Sequence, residues 1–175
     1  MKEELITVSQ ITMSDADDLY TFMTSNTSRF LRFFPKTLQE NRSVEASKKF
    51  ILKKRKEQQA KEEYTFFFKE PLTHKIMGLL IIKEINWITG QGELAYCIDH
   101  AFEGKGLMTQ AIHNISEYAF QNLGLRTLQI IVHKSNVGSI RVAEKCNYIW
   151  QSTLKNAFAP PHEEALDMEL YELKK

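Results

Sequence analysis

The stretch that most limits how this chain can fold runs from Gly92 to Gln121, GELAYCIDHAFEGKGLMTQAIHNISEYAFQ. Its apolar period changes partway. Leu94, Tyr96 and Ile98 recur at every second residue, the spacing of a strand, whereas Leu107, Ala111, Ile115 and Tyr118 with Ala119 recur at the spacing of one helix face. The change falls across Asp99–Gly106, so a strand hands over to a helix there. Gly104 and Gly106 sit in the handover, where the first backbone N–H groups of a helix have no intrahelical partner and the helix dipole is positive. A turn of this kind can cradle a phosphate.

Taken alone, the glycine pair reads better as a plain tight turn with no ligand. No third glycine and no acidic residue at dinucleotide spacing accompany it, and no Lys-Ser/Thr follows, so two common nucleotide-binding loops are excluded. A chain of 175 residues accommodates one domain with a substantial core, taken as residues 1–175. A formal net charge of +1 argues against a general affinity for polyanions, and nucleic acid is not an expected partner. Cys97 and Cys146 lie inside apolar elements, and no signal-like or membrane-length apolar run occurs. Both facts point to the cytoplasm and away from a membrane. The five histidines show no metal-ligand spacing, so no metal is expected.

Along the chain, residues 5–11 read as a strand, and Ser14 followed by Asp15, Asp17 and Asp18 reads as the cap and first turn of a helix reaching about Thr24. The aromatic run Phe30, Leu31, Phe33, Phe34 reads as a buried plug or one wall of a pocket. Thr37-Leu-Gln-Glu40 has capping-box spacing and predicts a long basic helix to about Glu62, its lysines balanced by interleaved glutamates as a solvated face. Tyr64–Lys69 and Lys75–Ile85, parted by Pro71–His74, predict an antiparallel hairpin, with Glu93–Ile98 as its next antiparallel neighbour. Arg126–His133 predicts a strand parallel to Glu93–Ile98 through a right-handed crossover. A helix from Asn136 to about Cys146, ended by Asn147, and strands at about Tyr148–Lys155 and Ala165–Leu173 complete an α+β unit with a mixed sheet.

Two motifs in this order carry a resemblance. Glu103-Gly104-Lys105-Gly106-Leu107-Met108 is similar to the Gln/Arg-x-x-Gly-x-Gly/Ala loop of the GNAT superfamily of acyl-CoA N-acyltransferases, and the helix from Asn136-x-x-Ser139 to Glu144-Lys145-Cys146-Asn147-Tyr148 resembles that family's Asn-x-x-Ser…Glu-Lys-x-Gly-Phe helix. The resemblance implies a single GNAT-like domain whose mixed, mostly antiparallel sheet has splayed central parallel strands flanked by helices. Glu93-Leu-Ala-Tyr96, the Gly-Lys-Gly-Leu-Met-Thr run, Leu154–Ala157 and Phe33-Phe34-Pro35 look like the branch that acetylates ribosomal-protein N-termini. Phe34 stands where that branch commonly has tryptophan, and Phe158 where a glutamate can occur. Glu103 replaces the usual Gln or Arg, so its side chain is expected to point to solvent. Met108 replaces a small residue, which requires its side chain to face the core.

What the resemblance implies for mechanism is specific. Acetyl-CoA would thread between the two parallel strands, which would splay after a bulge near Cys97, with Tyr96, Cys97 and Ile98 alongside it. Its pyrophosphate would lie over Gly104, Lys105, Gly106, Leu107, Met108 and Thr109, and Asn136 would reach the pantetheine side. A backbone N–H near Ile98 is the oxyanion candidate, Ser139 the candidate acid toward the leaving thiolate, and Glu93 the candidate base. Cys97 is expected to pack rather than act as a nucleophile. The acceptor would be a primary amine, first of all a protein or peptide N-terminus, since an α-amine has a pKa of about 8 against about 10.4 for lysine and needs less help to be neutral. A small amine, or a non-catalytic acyl-CoA-binding role, are the alternatives, in a monomer or homodimer.

Overall fold

The computed structural model describes residues 6–175. Strand β1 (Thr7–Gln10) leads into helices α1 (Ala16–Ser25), α2 (Thr27–Phe30), α3 (Pro35–Gln39) and α4 (Val44–Gln59), then strands β2 (Tyr64–Lys69), β3 (Ile76–Asn86) and β4 (Gln91–Ile98). Helix α5 (Leu107–Gln121), strand β5 (Thr127–Val132), helix α6 (Val137–Lys145) and strands β6 (Ile149–Phe158) and β7 (Leu166–Lys174) follow. One seven-stranded sheet results, ordered β1-β2-β3-β4-β5-β7-β6, with β4 and β5 parallel and the other neighbours antiparallel. This is the expected mixed α+β architecture. Leu5, expected to begin the first strand, lies outside the described residues.

The sheet separates two apolar cores. On one face Phe66, Phe68, Leu80, Ile82 and Leu94 meet Leu107, Met108, Ala111, Ile112 and Ile115 of α5, and on the other Phe67, Leu79, Ile81 and Cys97 meet Leu19, Phe22, Phe50 and Ile51 of α1 and α4. Consecutive phenylalanines of β2 thus enter opposite cores, as expected of a strand covered on both sides. Met108 is buried on the α5 side, as its position in the glycine turn required.

Three local expectations need correction. The first helix is capped through Thr12, whose N–H and hydroxyl both donate to Asp15 Oδ2 (2.8 and 2.9 Å) across a 3-10 turn, so Ser14 is not the cap. The Thr37 capping box does not start the long helix. Asn41 is fully buried, donates to the Thr37 carbonyl at 2.8 Å and accepts from Ser47 Oγ at 2.8 Å, which turns the chain between α3 and α4. Ser43, extended at φ −154°, is the cap of α4 and accepts from the Ala46 N–H at 3.1 Å. A satisfied buried amide outweighed a local spacing signal.

The third correction concerns the splay. β4 pairs with β3 without interruption from Glu93 to Ile98, and its side chains alternate between the two cores, so no bulge occurs at Cys97. The irregularity lies one strand away, where Phe68 pairs with Gly78 and Lys69 with Ile76, skipping Met77 of β3. β4 and β5 part earlier than expected, because their pairing ends at Glu93–Gln129.

Candidate active site

Beyond Glu93 the peptide groups of β4 divide between two sides. Asp99 N–H donates to the Met77 carbonyl at 2.8 Å, so the odd-numbered residues turn their backbone groups to β3, and Tyr96 and Ile98 turn theirs toward β5, where no strand pairs with them. A V-shaped cleft with an unpaired strand edge opens there. The Tyr96 side chain crosses to α6 and its hydroxyl donates to the Ser139 carbonyl at 3.2 Å. Burial pushes its pKa up, so it stays a neutral donor.

The wide end of this V leads to the N-terminus of α5. Gly104 and Gly106 hold φ of +72° and +76°, conformations that favour glycine, and Gly106 occupies the cap position of α5 without a side chain to offer. The first intrahelical bond is Gln110 N–H to the Gly106 carbonyl at 3.1 Å, which leaves the amides of Leu107, Met108 and Thr109 without partners among the described residues. Two left-handed glycines and three free amides at the end of a 15-residue helix form a fitting cradle for an anion.

Glu103 does not point freely to solvent. Its carboxylate pairs with Arg29, carried by α2, and lies 3.4 Å from His100 Nδ1. Arg29 also donates to the Ile98 carbonyl at 3.1 Å, so of the two edge groups at Ile98 only the N–H remains for a ligand. Lys105 reaches back to the Ala101 carbonyl at 2.9 Å.

Just past the end of β5, the loop after α2 meets the loop between β6 and β7. Phe33 lies 5.8 Å from the Phe158 ring and 6.2 Å from His133, and Arg32 forms a two-pronged pair with Glu163 at 2.8 and 2.9 Å. The aromatic run is therefore split. Phe30 is buried and stacks against Phe22 and Phe34 at 5.4 and 6.2 Å, forming the plug, whereas Phe33 is a wall of the cleft mouth.

Residues 6–149 match the acetyltransferase (GNAT) domain family, which is most of the chain. The chain belongs to the GNAT acetyltransferases. "Probable N-acetyltransferase YjcK" of Bacillus subtilis is 28% identical over 151 residues, covering 85% of this chain and 82% of that protein. Spermidine N(1)-acetyltransferase of Escherichia coli is 32% identical over 81 residues, 46% of this chain and 44% of that protein. Among solved structures, the ribosomal-protein-S5-alanine acetyltransferase of Vibrio fischeri superposes with a TM-score of 0.90 at 19% identity, covering 99% of this chain and 95% of that one. GNAT acetyltransferases use acetyl-CoA, and the cradle and open edge described above suit such a donor.

Within this GNAT acetyltransferase the residues singled out from sequence fall in four places. Gly104, Lys105, Gly106, Leu107, Met108 and Thr109 form the turn and first helical turn, and Tyr96 and Ile98 line the open edge. Ser139 stands in the first turn of α6 beside the Tyr96 phenol, while Asn136 caps that helix by accepting from the Ser139 N–H at 3.1 Å. Glu93 sits on the last paired rung of the V, its carboxylate 3.0 Å from Lys83 Nζ. Cys97 faces the core of α1 and α4, and its backbone is turned to Leu79, so it offers the cleft neither thiol nor amide. Burial raises its pKa further, as expected of a packing residue. Sequence reasoning missed Asn26, Arg29, Arg32 and Glu163. Their contacts span 69 to 131 residues, and no local spacing signals pairings so distant.

Proposed function

We propose that this acetyltransferase acts in the cytoplasm on a primary amine, first of all the N-terminal α-amine of a protein or peptide. The observation that carries this reading is the make-up of the cleft mouth: two phenylalanine rings, a histidine, and a carboxylate, Glu163, already neutralised by Arg32. A polyamine with several positive charges is better served by unpaired acids. Glutamates gather instead at the far end of the hairpin, where Glu62 and Glu84, with Glu57 and Glu63 paired to Lys54, border a cavity of about 630 Å³ together with Lys83 and Gln91, the first residue of β4.

Acetyl-CoA supplies an activated acyl thioester. In the proposed mechanism the Ile98 N–H donates to the developing oxyanion, the α5 amides and glycine turn hold the pyrophosphate, and Ser139 donates a hydrogen bond to the departing thiolate, which takes its proton from solvent. Glu93, whose carboxylate lies 3.0 Å from Lys83 Nζ, accepts the amine proton through water. Because a free thiol has a pKa of about 8.5, modest assistance from Ser139 suffices. The match to a spermidine acetyltransferase favours a second reading, a small-amine acceptor. Thiol release from acetyl-CoA, measured with pooled N-terminal peptides and separately with pooled small amines, decides between them. Release with peptides is expected. Release with small amines alone overturns the peptide reading.

A further inference from the structure

Arg29 joins three parts of the molecule that the catalytic reading treats separately. Its Nη1 donates to the Ile98 carbonyl at 3.1 Å and to Asn26 Oδ1 at 3.3 Å, and its Nη2 pairs with Glu103. Asn26 is almost fully buried at the end of α1, donates to Asp99 Oδ2 at 3.1 Å and accepts from the His100 N–H at 3.1 Å. Asp99 in turn accepts from the Ala101 N–H at 2.8 Å. The junction of α1 and α2 is thereby tied to the end of β4 and to the loop leading into the glycine turn.

Glu103 is the residue just before Gly104, where a free carboxylate repels a bound pyrophosphate. Lys105, His100 and Arg29 stand near it. Lys105 spends its ammonium on the Ala101 carbonyl at 2.9 Å and lies over the Phe102 ring at 5.4 Å, and the His100 side chain is 80% exposed. Arg29 alone is fixed in place by a buried partner, and its planar fork serves Glu103 and Ile98 together.

We propose that Arg29 is a positioning residue for acetyl-CoA: it neutralises Glu103 so that the glycine turn accepts a pyrophosphate. The inference rests on the placement of the pyrophosphate over Gly104–Thr109. Arg29 contacts no phosphate in this scheme. It acts through Glu103, so its effect disappears once Glu103 is uncharged.

The test is a double-mutant cycle read by calorimetric binding of CoA and of pantetheine, which lacks the pyrophosphate. Arg29→Gln is expected to weaken CoA about tenfold, Arg29→Lys to recover most of that loss, and Glu103→Gln to leave affinity within about threefold of wild type. In the Glu103→Gln background, Arg29→Gln is expected to cost less than about threefold. Pantetheine binding stays level throughout, and the Arg29→Gln loss shrinks at high salt because both side chains are partly exposed. An equal loss in both Glu103 backgrounds, or an equal loss for pantetheine, overturns the inference while leaving the pyrophosphate site intact. If wild type binds CoA no more tightly than pantetheine, the pyrophosphate placement fails and the inference falls with it. Arg29→Met, which also removes the charge, carries the same comparison should Arg29→Gln fold poorly.

Discussion

At Gly78 only a hydrogen fits. A Cβ there would lie 1.9 Å from Phe68 Cε1 and 2.6 Å from the Cys97 carbonyl oxygen, beside the skipped residue of β3 that lies opposite the end of β4. Gly78→Ala is expected to destabilise by about 3 kcal/mol, the upper end for overpacking, measured as a lower urea midpoint. Gly106 contrasts with it. Nothing stands within 4 Å of a Cβ at Gly106, and the constraint is its φ of +76°. Gly106→Val is expected to cost stability by roughly the 1–2 kcal/mol of a left-handed residue, yet to weaken CoA binding at least tenfold, because the branched side chain blocks close approach to the turn. Unchanged affinity in calorimetry would sink the pyrophosphate placement. The buried thiols bear on pH. Burial pushes Cys146 up to about 11, and a backbone bond to His113 opposes this. An unfolded thiol ionises near about 8.5, so above that pH the unfolded state binds fewer protons than the folded one, and stability falls as pH rises toward about 11. Urea midpoints should decline from about pH 9 upward in wild type and less steeply in Cys146→Ala.

Among the elements, α5 and β4 were legible because their periodicities are uninterrupted and their buried faces coincide with the apolar positions. Asn147, expected to end α6, does so at φ +63°, where asparagine is tolerated. Helix α4 was misread at its start, since the capping box at Thr37 satisfies a local rule that the buried Asn41 overrides. The two caps are therefore separable by mutation. Ser43→Ala is expected to lower stability by about 1 kcal/mol and Thr37→Ala by less than about 0.5 kcal/mol, compared by chemical denaturation. Equal costs would restore the cap that the sequence suggested.

On the scale of the molecule, the sheet makes one cleft with two entrances, the glycine turn at one and the aromatic mouth at the other. The entrances should respond to different substrates. Arg32→Ala removes the pair with Glu163 that joins the two mouth loops, and steady-state kinetics are expected to show the acceptor KM rising several-fold while the KM for acetyl-CoA stays within about twofold. A change confined to acetyl-CoA would place the acceptor elsewhere. By itself the sequence determined the elements, the parallel relation of β4 and β5 and the glycine turn, because strand and helix periods, turn residues and helix ends are set by neighbours a few positions apart. Only the tertiary structure decided where the strands part, which carbonyl Arg29 occupies, how Glu103 is neutralised and which phenylalanine faces the mouth. Those outcomes depend on contacts between groups far apart in the chain, whose meeting is fixed by packing around the whole sheet and not by any local pattern.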